Sequence, residues 1–189
     1  MDKKEQRMLM IEQLRLIEKA HYDKKSEAII NKLVENQTFQ DATVIGVTIS
    51  RFPEVDTLRL IERSWQFGKT IVVPKCHAKT RGMDFHKITS FQQLETVYMD
   101  LQEPIVEKTT LVEKENIDLL VVPGVVYSKK GYRIGFGGGY YDRYLADFKG
   151  RTISLAFHQQ VTNHVPVESH DIPVAKIITE KGIIDCRKD

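Results

Sequence analysis

Between residues 42 and 74 the hydrophobic period changes twice. ATVIGVTIS, Ala42 to Ser50, is short, apolar and β-branched, which is the pattern of a buried strand. Leu58, Ile61 and Trp65 then recur at helical spacing in the stretch from Asp56 to Gly68, with the glycine placed to end the helix. KTIVVP, Lys69 to Pro74, returns to strand character. A strand, helix and strand within about thirty residues is a βαβ crossover, and a crossover of that kind requires a parallel sheet.

The rest of the chain extends that unit. Met10, Leu14 and Ile17 share one face of a first helix. A second helix is expected after Asp23 as N-cap, burying Ile29, Ile30, Leu33 and Val34. Ile117 to Gly124, Arg151 to Phe157 and Val174 to Thr179 read as buried strands, the last closed by a turn at Lys181-Gly182. Met83 to Ile88 alternates as an outer strand would, and Phe91 to Leu94 suits a helical turn. Tyr98 to Glu113 reads as loop, and Gly139 to Ala146 as the start of a helix. These assignments predict a single α/β domain over residues 1–189. It has an N-terminal helical pair and five or six mostly parallel strands flanked by helices.

Composition narrows the class. The chain has 189 residues, 41% hydrophobic and 29% charged, as soluble globular domains do. A net charge of +2 argues against a polybasic nucleic-acid binder. Two cysteines allow neither a disulfide framework nor a four-thiolate zinc site. No run approaches the length of a membrane span, and the N-terminus lacks an apolar signal core, so a cytoplasmic protein without membrane partners is expected.

Five of the 11 glycines fall at Gly131, Gly135, Gly137, Gly138 and Gly139, within SKKGYRIGFGGGYYDRYL from Ser128 to Leu145. The segment follows a predicted strand and precedes a predicted helix, where open α/β sheets collect ligands. Glycines there permit positive φ and let backbone N–H groups face one anion, with the helix dipole in support. Residues 128–151 carry six basic side chains against two acidic ones, which favours a phosphate ligand. The segment is not a P-loop, because no Gly-Lys-Ser/Thr ends it, and Tyr140 breaks the dinucleotide pattern. Tyr140 and Tyr141 either flank a planar ligand or simply pack in the core.

Val122-Pro123-Gly124, followed by Gly-x-Arg-x-Gly-x-Gly-Gly-Gly-Tyr-Tyr-Asp-Arg from Gly131 to Arg143, closely resembles the 5-formyltetrahydrofolate cyclo-ligase (methenyltetrahydrofolate synthetase) family. Lys3-x-x-x-Arg7, Glu54-Val55-Asp56-Thr57, His170 to Val174 and Thr179 to Gly182 agree with it in order and spacing. The resemblance implies an enzyme that uses ATP and Mg²⁺ to convert 5-formyltetrahydrofolate to 5,10-methenyltetrahydrofolate. It also implies the site. Residues Lys3, Lys4, Glu5, Gln6 and Arg7, with the loop Arg133, Ile134, Gly135, Phe136, Gly137, Gly138, Gly139, Tyr140 and Tyr141, correspond to the family's ATP contacts. Lys3, Arg7 and Arg133 correspond to its catalytic cations. Asp142 and Asp171 correspond to its Mg²⁺ carboxylates. Arg51, Glu54, Asp56, Met99 and Phe136 to Tyr140 correspond to its folate contacts, and either Glu54 or Asp56 holds the pterin. The expected partners are these small molecules, acting on a monomer.

Two positions depart from the family pattern. Met99 lies where many relatives have an aromatic residue, and Phe136 where some have a basic one; one cationic contact is then either missing or supplied by Lys129 or Lys130. A sugar-phosphate isomerase or CoA transferase on a similar sheet would also explain the anion loop, as would a non-catalytic nucleotide-binding module. The isomerase or transferase reading does not account for Asp142 after the tyrosine pair or for the basic N-terminal pair, and the module predicts ATP binding with no turnover. His158, His164 and His170, six residues apart around Pro166, do not stack as ligands on a helix. Cys76-His77 reads as structural rather than as a thiol nucleophile.

Overall fold

A computed structural model describes residues 1–188; the predicted domain extends one residue further, to Asp189, which lies outside the described residues. In chain order the helices are α1 (Lys3–Arg15), α2 (Lys19–Glu35), α3 (Gln37–Asp41), α4 (Thr57–Gln66) and α5 (Tyr140–Leu145). The first six strands are β1 (Val44–Gly46), β2 (Thr70–His77), β3 (Gly82–Ile88), β4 (Leu94–Thr96), β5 (Gln102–Pro104) and β6 (Thr110–Val112). The rest are β7 (Leu119–Val121), β8 (Val126–Ser128), β9 (Arg133–Ile134), β10 (Arg151–Leu155), β11 (Val161–Thr162), β12 (Lys176–Thr179) and β13 (Gly182–Asp185).

The main sheet has the order β13-β12-β10-β7-β1-β2-β3-β6. Its middle, from β12 to β2, is parallel throughout, as the βαβ unit requires. Antiparallel strands β13, β3 and β6 complete the edges, so the sheet is wider than expected. Alternate residues divide the core between two faces. Ile71, Val73, Leu119 and Val121 pack with α1, α2 and α4, while Val72, Leu120 and Val122 pack with Tyr144 and Leu145 of α5.

Several boundaries differ from expectation. Strand β1 ends at Gly46 instead of Ser50. Beyond Val47, whose N–H still reaches Val72, the chain is held by the start of α4. The Ser50 N–H donates to Thr57 Oγ1, Thr57 N–H donates to Ser50 Oγ, and the Thr57 hydroxyl donates to the Thr48 carbonyl. Asp23 does not cap α2. The helix starts a turn earlier because Tyr22 is buried and its hydroxyl bonds the Glu54 carbonyl, while Asp23 pairs with Lys19 and Arg59 from within the helix. Ile17 lies just past the end of α1, yet packs against the core. The presumed loop from Tyr98 to Glu113 contains β5 and β6, and Met83 to Ile88 lies one strand inside the edge. Helix α4 fits closely. Asp56 is its N-cap, and Gly68 follows its C-terminus at φ 74.

Candidate active site

The carboxyl ends of the central strands and the loops after them converge on one edge of the sheet, as in other open α/β sheets. Cys76 near the end of β2, Pro123 after β7, and the segment from Arg133 to Asp142 line a cavity of about 320 Å³. Lys3 and Arg7, one turn apart on α1, enter it from the N-terminus, and Glu168, His170 and Asp171 complete its wall.

The glycine segment is presented by a small sheet in which β8 pairs with β9 and β11. Gly131 belongs to the β8–β9 turn rather than to a cradle. A Cβ there would fall 2.3 Å from the Val174 carbonyl oxygen, and φ is 87. The crest comprises Gly137 and Gly139, both left-handed, with Gly138 between them. A Cβ on Gly138 would meet the Tyr140 ring at 2.6 Å, so that position must be small to seat the ring. Helix α5 has only six residues, so the dipole contribution expected from sequence is slight.

The charged residues of this wall largely answer one another. Arg133 is buried, with Nη1 donating to the Ile172 carbonyl at 2.7 Å and Nη2 to Asp142 Oδ1 at 3.1 Å. The Ile172 N–H also donates to that Asp142 oxygen. Lys3 Nζ lies 2.8 Å from Asp171 Oδ2 and 3.3 Å from Glu168 Oε2. Burial opposes both charges of the Lys3–Asp171 pair. Their hydrogen bond and attraction outweigh it, holding Lys3 above its ordinary pKa and Asp171 below its own. Arg7 donates from Nε to the Gly135 carbonyl at 2.6 Å and leaves its terminal nitrogens near Gly137.

Each proposed metal carboxylate has one oxygen tied to the protein. Asp142 Oδ2 has no hydrogen-bond partner among the described residues, and Asp171 Oδ1 faces only His170 Nε2 at 3.5 Å. Free hard oxygens of this type suit Mg²⁺. Glu168, His170 and Asp171 also bring three ligand atoms within 4.8 Å of one another, a grouping that the spacing of the histidines does not reveal. Lys3 occupies two of those carboxylates.

Glu54 lies beside this cavity in a small recess with Thr48, Thr57, Pro123 and Gln160; Pro123 lines both. Burial pushes its carboxyl up to about 7, against a hydrogen bond from the Arg51 backbone and the Arg51 charge, and no side chain hydrogen-bonds it among the described residues. Asp56 is committed elsewhere. Oδ1 caps α4 through the Leu58 N–H at 3.1 Å, and Oδ2 pairs with Arg59. Of the two carboxylates, Glu54 is the one free for a ligand. Arg51 bonds the Met99 carbonyl, tying the β4–β5 tip to the segment before Glu54. Phe136 stands exposed on the loop.

Other expected residues lie elsewhere. Lys4, Glu5 and Gln6 do not line the cavity; Glu5 closes a capping box with Asp2, and Gln6 bonds the Met1 carbonyl. Lys129 and Lys130 are exposed in the β8–β9 turn and do not line it either. Cys76, set aside as a nucleophile, is nevertheless a wall residue. Burial and the nearby Glu103 push its thiol up to about 12, which keeps it protonated and unreactive at neutral pH. The buried Tyr141 hydroxyl has no hydrogen-bond partner among the described residues. Among the described residues no helix is long and apolar enough to cross a membrane.

A model of the 5-formyltetrahydrofolate cyclo-ligase family matches residues 1–180. A Caenorhabditis elegans protein named probable 5-formyltetrahydrofolate cyclo-ligase is 27% identical over 190 residues, covering 94% of this chain and 92% of its own. The Escherichia coli 5-formyltetrahydrofolate cyclo-ligase is 30% identical over 149 residues, covering 75% and 80%. The solved structure of Aquifex aeolicus 5,10-methenyltetrahydrofolate synthetase superimposes with a TM-score of 0.88 at 28% identity, over 100% of this chain and 95% of that one. These similarities favour the cyclo-ligase reading over a sugar-phosphate isomerase or CoA transferase.

Proposed function

The chain belongs to the 5-formyltetrahydrofolate cyclo-ligase family, and on that premise we propose that it closes 5-formyltetrahydrofolate to 5,10-methenyltetrahydrofolate at the expense of ATP. The observation that carries the assignment to this cavity is the meeting of four features in one place. They are the α1 cations, the glycine crest, two half-free carboxylates and the adjoining Glu54 recess.

A formyl oxygen is a poor leaving group. Transfer of the γ-phosphoryl group to that oxygen makes the formyl carbon an acceptor for N10. N10 adds and loses its proton, the C–O bond breaks, and phosphate departs with the oxygen. The protein's part is alignment and charge neutralisation. The crest from Gly137 to Gly139, Lys3 and Arg7 hold the triphosphate. Arg133 acts from its fixed ion pair, and Glu54 accepts the paired donors of the pterin edge. Arg51, Met99, Phe136 and Tyr140 border the folate. Asp142 and Asp171 would hold Mg²⁺, which would supply further neutralisation of phosphate charge. Among the described residues the wall brings together no Ser–His or Cys–His pair, and its carboxylates are assigned to the metal, so this reading has no phosphoenzyme. The same proposal places the enzyme in the cytoplasm as a monomer, which size-exclusion chromatography checks.

The test uses 5-formyltetrahydrofolate labelled with a heavy isotope in the formyl oxygen. With ATP and Mg²⁺, methenyltetrahydrofolate absorbance in the near ultraviolet appears and the label is found in released phosphate. Label retained in the folate or lost as water excludes direct transfer.

A further inference from the structure

Each glycine of the crest faces a guanidinium from a different part of the chain. A Cβ on Gly137 would lie 3.8 Å from Arg7 Nη2, one on Gly138 3.8 Å from Arg81 Nη1, and one on Gly139 3.9 Å from Arg143 Nε. Arg7 belongs to the motif; Arg81 does not. It sits in the β2–β3 turn, where its N–H donates to the His77 carbonyl at 2.9 Å. Its guanidinium lies over the Tyr140 ring, 5.8 Å from the centroid. Tyr140 separates the cavity already described from a second one of about 520 Å³, and Arg81 lines that second cavity.

The charges of the first wall leave an opening for such a residue. Lys3 is engaged by Asp171 and Glu168, Arg133 by Asp142 and Ile172, and Arg7 has given its Nε to Gly135. A triphosphate needs cations that the protein has not already neutralised. The Arg81 side chain has no ion pair or hydrogen bond to protein among the described residues, although Tyr140 restricts where it points. Its backbone is also costly for an arginine, with φ 59 in the left-handed region that glycine or asparagine fills more readily. Phe136 leaves the loop itself without a basic side chain at its centre, and Lys129 and Lys130 stand away from it.

We propose that Arg81 reaches over the crest at Gly138 and contacts the phosphates of the bound nucleotide, the role that sequence alone would give to a basic residue within the loop. The inference rests on the nucleotide reading of the loop. A guanidinium suits the task because its fork can bind two phosphate oxygens at once.

Arg81→Gly is the informative variant, since glycine fits the turn and removes the cation. Calorimetric titration with ATP and Mg²⁺ is expected to show affinity at least 10-fold weaker than wild type. KM for 5-formyltetrahydrofolate should be unchanged and the melting temperature no lower. Arg81→Lys should recover part of the loss. If Arg81→Gly binds ATP normally while Arg7→Ala binds it weakly, the contact is wrong and the nucleotide reading survives. If Arg81→Gly instead raises KM for the folate alone, Arg81 serves a folate carboxylate and the proposal falls. If the wild-type protein binds no ATP, the reading of the loop fails and this inference with it.

Discussion

The wall proposed for the nucleotide and the recess proposed for the pterin handle charge in opposite ways. On the first, Lys3 answers Asp171 and Arg133 answers Asp142, at 2.8 and 3.1 Å. These pairs exist before any ligand arrives. In the second, Glu54 has no side-chain partner among the described residues and holds its proton up to about pH 7. The paired wall is preorganised, so the cost of gathering its charges is met in folding. The lone carboxyl is in an unfavourable state when ionised, and two donors from a ligand relieve it. One side is therefore expected to govern turnover and stability together, and the other affinity for one substrate and its pH dependence.

The largest effect is expected at Arg133. Replacing it with Met leaves Asp142 and the Ile172 carbonyl without their buried donor. Breaking one member of a buried pair costs about 3–5 kcal/mol, and at this size that lowers Tm by roughly 10 °C. Loss of the positioned cation should lower kcat by about 100- to 1,000-fold. A thermal melt alongside steady-state kinetics reads both. A variant that loses activity but keeps its Tm would break the comparison, because the pair would then have no structural weight.

Glu54→Gln comes next. In the unfolded chain this group titrates near 4.5, in the folded protein near 7. Between those values the folded protein holds a proton that the unfolded chain has lost. Wild-type stability therefore declines as pH rises through this window, and above about 7 the full penalty is present. The variant, which cannot ionise, should match wild type near pH 4 and exceed it at pH 8 by up to about 2–3 kcal/mol. Its folate KM should rise roughly 10- to 100-fold. The wild-type folate KM should fall as pH climbs through 7, whereas the variant's stays flat. Equal pH profiles would show that Glu54 does not meet the pterin as a carboxylate.

Gly138→Val tests the crest without touching a charge. Its Cβ would fall 2.6 and 2.7 Å from Tyr140 ring atoms, so the ring must move. Overpacking of this kind costs about 1–3 kcal/mol. A displaced Tyr140 should raise KM for ATP by about 10-fold, the equivalent of 1.4 kcal/mol, and, because the same ring borders the folate, raise the folate KM by a smaller factor. Similar shifts in both constants would mean that the two sides are not separable.

The sequence exposes these two regions unequally. The parallel strands are legible because Ile71 to Val73 and Leu119 to Val122 are continuous apolar runs buried on both faces. The glycine loop is legible because its residues are contiguous. Strands β5, β6 and β13 leave little trace. Each has at most four residues, stands at or near an edge, and mixes polar with half-exposed side chains. Contacts between distant segments leave none. Lys3 meets Asp171 across 168 positions, and Cys76 joins the wall only because β2 ends there. The choice between Glu54 and Asp56 is invisible for the same reason. Both are acidic residues before a helix, and only the geometry shows that one of them is already capping it.

Asp56→Ala carries the smallest expected effect and bears most directly on that choice. The substitution removes the acceptor for the Leu58 N–H, a helix-cap loss of about 1 kcal/mol. The Arg59 pair adds little, because both side chains are partly exposed. Tm should fall by about 2–4 °C, with KM for ATP and for 5-formyltetrahydrofolate both within about twofold of wild type. If Asp56 held the pterin instead, its loss would raise the folate KM as strongly as Glu54→Gln does, with no more change in Tm than a cap explains. A large folate effect at position 56 would move the unpaired carboxylate out of the recess. It would also remove the contrast between a wall that is neutralised in advance and a pocket that waits for its ligand's donors.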